Sequence, residues 1–99
     1  MAVLVAVTRF DLRIPGCGSL KEKRHVVKTL TAGLRQKFNV SVAEVDHHDL
    51  WQRTTIAVSA VSGQSYHVRR VLHEVEKFVG RYGRVEIIDS ELTLHYPDE

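Results

Sequence analysis

The stretch that most constrains the fold is Asn39 to Arg53, NVSVAEVDHHDLWQR. Val40, Val42 and Glu44 alternate with Ser41, Ala43 and Val45, a period of two that predicts a strand. Neither side of that strand is cleanly apolar, which predicts an edge position and a bulge near Ala43 to Val45. Asp46 to Leu50 reads as a polar turn, and Arg53 to Ser62 predicts a third strand in the chain, antiparallel to the second. A hairpin in the middle of the chain leaves each flank to supply what packs around it.

Each flank supplies one strand and one helix. Ala2 to Leu12 is apolar at both parities, with Val3, Val5 and Val7 against Leu4, Ala6 and Phe10, which predicts a central strand covered on both sides. Ile14-Pro15-Gly16-Cys17-Gly18 interrupts it, since proline lacks an amide hydrogen and glycine permits unusual dihedrals. Ser19-Leu20-Lys21-Glu22 then fits a capping box, with the Ser hydroxyl on a first-turn amide and Glu22 reaching back to the amide of Ser19. Leu20, Val26, Val27, Leu30, Leu34 and Phe38 define the apolar face of a helix ending near Phe38. Lys21, Lys23, Arg24, Lys28, Arg35 and Lys37 occupy much of the rest.

A second helix is predicted over Tyr66 to Tyr82, capped from Ser62-Gly63-Gln64-Ser65, with Val68, Val71, Leu72, Val75, Phe78 and Val79 on one side. Val85 to Tyr96 predicts the last strand, with a change of phase near Ile87-Ile88 that implies a bulge. The order is βαββαβ. Two right-handed crossovers turn it into a four-stranded antiparallel sheet in the order 4-1-3-2 with both helices on one face, the ferredoxin-like α+β sandwich. At 99 residues the chain forms one domain, 1–99, burying roughly 60 to 65% of its unfolded surface. Because helices cover one sheet face and the first strand is apolar on both, a second copy is expected on the other face, making a homodimer.

Charge is unevenly placed. Residues 1–40 carry eight Lys and Arg against two acids, a balance of +6, whereas residues 41–99 carry six against ten, a balance of −4. This asymmetry points to an anionic partner for one surface or to association of unlike surfaces. A single cysteine, Cys17, forms no internal disulfide and fits a reducing compartment, the cytoplasm. Ala2 to Val7 is read as a buried strand and not as a signal peptide, since no basic segment precedes it and Arg9, Asp11 and Arg13 follow at once. No apolar run approaches the roughly 20 residues of a membrane helix.

Three blocks, Ser19-Leu20-Lys21-Glu22-Lys23-Arg24, Asn39-Val40-Ser41-Val42-Ala43-Glu44-Val45 and Asp49-Leu50-Trp51-Gln52-Arg53, resemble the YlxP-like family, domain of unknown function 503. The similarity spans nearly the whole chain. It implies a small bacterial protein of ferredoxin-like fold, and gene neighbourhoods shared with translation initiation and ribosome maturation imply a link to translation or RNA. It brings no catalytic residues.

No residue set completes an enzyme, so a non-enzymatic binding role is expected. RNA-recognition domains of this topology stack bases on aromatics of the first and third strands, and Leu4 to Thr8 and Thr54 to Val61 contain none. What remains is a patch of Arg9, Arg13, Lys21, Lys23, Arg24 and Lys28 that would contact RNA phosphates or a ribosomal surface without reading sequence, and without specificity for DNA. Exposed cations are also the ordinary solvated surface of an amphipathic helix.

The alternative reading is a small-molecule or anion-binding regulatory module acting as a dimer, through the amides of Gly16-Cys17-Gly18-Ser19 or through the dimer seam. Asp46-His47-His48-Asp49 resembles a metal or catalytic cluster, but neighbouring residues of a strand point to opposite faces and further ligands are lacking, so it reads as a polar turn. No metal or other cofactor is called for. Trp51 and Arg53 are the interface candidates, the indole being expected to pack over a sheet end or a dimer seam.

Overall fold

A computed structural model describes residues 2–97; Met1, Asp98 and Glu99, at the ends of the expected 1–99 domain, lie outside the described residues. The elements run β1 (Leu4–Arg13), α1 (Leu20–Lys37), β2 (Ser41–Asp46), β3 (Arg53–Ser62), α2 (Ser65–Arg81) and β4 (Glu86–His95). All strand pairs are antiparallel, in the order β2-β3-β1-β4, which is the expected 4-1-3-2 sheet seen from its other edge. Among the described residues no helix is long and apolar enough to cross a membrane.

Alternation along β1 decides which face is the core. Leu4, Ala6, Thr8, Phe10 and Leu12 are buried, while Val5, Val7, Arg9 and Asp11 are only half-buried. In β3, Thr54, Ile56, Val58 and Ala60 match the buried phase of β1. Val26, Leu30 and Leu34 of α1 and Val68, Leu72, Val75 and Val79 of α2 close on that side. The helices therefore lie on one face, and the face bearing Val5, Val7, Arg9, Asp11 and Arg13 is open.

Both expected bulges are present. The β2–β3 register shifts between Glu44 and Asp46, which lets Val42 and Glu44 point inward while Asp46 joins the outward phase of Thr55. The β1–β4 register shifts at Asp11/Leu12, where the partners jump from Asp89 to Ile87 and leave Ile88 extra and half exposed. The caps depart from expectation in detail. Ser19 Oγ accepts from the amide of Glu22 at 3.1 Å, but Glu22 accepts from Gly18 and not from Ser19. Gln64, the residue before α2, makes no side-chain cap, and Ser62 Oγ accepts from the amide of Gln64 and not from one inside the helix.

Candidate functional site

The six cations expected to form one patch are divided by the fold among three environments. Lys23 is the clearest correction: it is fully buried and does not share an exposed surface. Its Nζ donates to Glu44 Oε2 at 2.6 Å and to the carbonyls of His47 and His48 at 2.8 and 3.0 Å. Three acceptors use all three ammonium protons, which is what makes burying the charge tolerable. Thr54 also donates to Glu44 Oε2 at 2.6 Å. Burial pushes the Glu44 carboxyl up, yet the bonds from Lys23 and Thr54 outweigh it and hold the pKa below its ordinary value. This buried knot fastens α1 to the β2–β3 hairpin.

Arg9 and Arg13 lie on the open sheet face, across the sheet from α1. Arg9 donates to Asp11 and, at 3.0 Å, to Asp89; Arg13 grips Glu86 at 2.5 Å. Thr55 Oγ1 donates to Asp11 Oδ1 at 2.8 Å, and His47 Nδ1 lies 2.9 Å from the same hydroxyl. Since the Thr55 proton goes to a carboxylate, His47 Nδ1 must be the donor in that contact. Bonds from Thr55 first and Arg9 next hold Asp11 below its ordinary pKa, and Asp89 and Asp11 raise that of Arg9. The result is a chain Asp89–Arg9–Asp11–Thr55–His47 spanning the sheet from β4 to the β2–β3 turn, its charges answered within the chain.

Lys21, Arg24 and Lys28 form the third group. They are exposed, at spacings of three and four that place them on one side of α1 within about 10 Å along its axis. Among the described residues none has a carboxylate within ion-pair distance, in contrast to Arg9, Arg13, Lys23, Lys77 and Arg84. His25 and Gln36 flank the stripe, and Arg35 continues along it although its guanidinium donates to the Val42 carbonyl at 2.7 Å.

The remaining candidates are placed as follows. The amide of Gly18 is taken by Glu22, and Cys17 is buried with its thiol directed at the Ser19 carbonyl, so an anion at this helix start would have to displace a carboxylate. His47 has a φ of 60°, its amide donates to Asp46, and no group of three metal-ligating side chains occurs among the described residues. Trp51 is 51% exposed, beside Leu50 at 49%, so within one chain the indole is not covered and only a partner surface could pack over it. Arg53 shares that corner, with its Nε buried and without a hydrogen-bond partner among the described residues.

The sequence matches the model of the family described as protein of unknown function (DUF503) over residues 5–92. It is 39% identical over 83 residues to the uncharacterized protein YlxP of Bacillus subtilis (strain 168), covering 84% of this chain and 90% of that one. The fold is similar to the de novo designed protein Foldit4, with a TM-score of 0.53, 11% identity and 98% of each chain covered. It is also similar to a C-terminal segment of the alpha subunit of aIF2 from Pyrococcus abyssi, with a TM-score of 0.51, 16% identity, and 95% of this chain and 50% of that one covered. At such identities these structures speak to the fold alone. The chain belongs to the DUF503 family.

Proposed function

We propose that this protein binds the phosphate backbone of RNA, free or in a ribosomal particle, through the exposed side of α1, acting by binding and not by catalysis in a reducing compartment. The observation that carries the reading is how the cations are partnered. Arg9, Arg13 and Lys23 have their charge answered by carboxylates of the same chain, whereas Lys21, Arg24 and Lys28 stand together on one helix side with none among the described residues. A stripe of unanswered cations attracts a polyanion, and the match is to charge spacing and not to base identity. The test is retention of single-stranded RNA as salt is raised, compared between the native chain and Lys21→Gln/Arg24→Gln/Lys28→Gln. Steep salt dependence that flattens in the variant supports the reading; no retention even at low salt overturns it.

The open sheet face is proposed to join two copies. Its three ten-residue strands and the six-residue β2 outline roughly 600 Å² from ordinary strand spacing, near the roughly 800 Å² per partner of a stable interface. Its cations and carboxylates are of both signs, which disfavours a polyanion there and suits a like surface. Sedimentation equilibrium giving only monomer mass, unchanged by Val7→Arg or Ala57→Glu, would contradict this.

A further inference from the structure

We infer that the cleft between the C-terminal ends of α1 and α2 is a binding site for a nucleotide, held by its base against Phe78 and Tyr82 and by its phosphate between Lys37 and Arg81. The cleft, about 370 Å³, is lined by Lys37, Glu74, Lys77, Phe78, Arg81 and Tyr82, and falls within the roughly 300–1,000 Å³ of small-ligand sites. It is separate from the α1 stripe, since Lys37 leans toward α2, and the inference does not depend on that stripe.

The floor is pre-formed. Phe78 meets Phe38 edge to face, with centroids 6.0 Å apart and an interplanar angle of 87°. On its other flank stands Gly33, where a Cβ would approach Phe78 Cζ to 3.2 Å, so glycine lets the ring sit close against α1. Phe78 and Tyr82 are half-buried, which leaves aromatic surface facing the cleft. The rim is positive: Lys37, Lys77 and Arg81 face a single carboxylate, Glu74, which already pairs with Lys77 at 3.4 Å. Lys37 Nζ lies over the Phe78 ring, 5.5 Å from its centroid, and over the Phe38 ring at 5.7 Å, a cation held against the aromatic floor.

Those two properties select the ligand class. Cations alone take any anion, and rings alone take any apolar group. A planar ring carrying a phosphate answers both, by stacking on the aromatic side chains while Lys37 and Arg81 take the phosphate. The nucleotide could be free or one residue of an RNA strand, and the experiment separates the two.

Isotope-labelled protein is titrated with each of the four ribonucleoside 5′-monophosphates, with inorganic phosphate, and with a short single-stranded RNA, following amide shifts at Phe78 to Gly83. At least one monophosphate is expected to shift these amides and to bind about tenfold more tightly than phosphate. Lys37→Gln/Arg81→Gln, both exposed, is expected to lose about tenfold of that affinity with an unchanged melting temperature, and Phe78→Leu to remove the preference over phosphate. Shifts with RNA but with no monophosphate, lost in the same variant, assign the site to a strand. The inference is overturned if neither nucleotides nor RNA perturb these amides, or if phosphate binds as tightly as every monophosphate.

Discussion

Replacing Lys23 with methionine probes the buried knot that fixes the hairpin on α1. The variant keeps the length of the side chain but removes the ammonium that bonds Glu44 and the carbonyls of His47 and His48. Glu44, only 19% exposed, then keeps Thr54 as its one side-chain donor among the described residues. Breaking a buried pair from one side costs about 3–5 kcal/mol, and the partial exposure of Glu44 argues for about 3. For a chain of this size that lowers Tm by roughly 12–24 °C. Thermal unfolding followed by circular dichroism measures it, with Glu44→Leu added to Lys23→Met as the second arm. The double variant is expected to recover part of the loss, because no lone charge stays buried. A Lys23→Met chain that melts within about 2 °C of the parent would refute the knot, since surface substitutions cost no more than about 0.5 kcal/mol.

Other outcomes follow from the same structure. Asp11 and Glu44 have folded-state pKa values lowered from 3.8 and 4.5, so their contribution is fully present above those values and is lost as pH falls below them. Melting temperature should therefore drop through that acid window. In Lys23→Met the Glu44 share should reverse, because burial without its main donor favours the protonated form; an unchanged acid profile would count against this assignment. Ser19→Ala removes the hydroxyl that accepts from Glu22 and should cost about 1 kcal/mol in urea unfolding, with loss below about 0.3 contradicting the cap.

Much of the fold was legible because local signals agreed with one another. The Ser19 cap, the two helical stripes and the phase breaks near Glu44 and Ile88 each correspond to a feature of the chain. Lys23 was misplaced because a lysine among lysines reads as surface. A signal was nevertheless present: Lys23 stands three, four and seven residues before Val26, Val27 and Leu30, inside the buried stripe, and Glu44 occupies the inward phase of Val42. Two opposite charges, each out of phase on its own element, mark a buried pair. The sheet-face chain from Asp89 to His47 could not be read in the same way, since it depends on a register that brings residues 80 positions apart together. Grouping Arg9 and Arg13 with α1 failed because nearness in sequence was read as nearness in space, whereas alternation along β1 turns both away from the helices.

The salt dependence of RNA binding tests the exposed side of α1 most directly. For single-stranded RNA the slope of log affinity against log salt is about −0.7 per phosphate neutralised. Removing Lys21, Arg24 and Lys28 together is predicted to flatten that slope by about 2 and to leave the melting temperature unchanged. A native chain that shows no affinity for RNA at low salt, or a triple variant that keeps the native affinity and slope, would contradict the claim that this side of α1 is the binding surface.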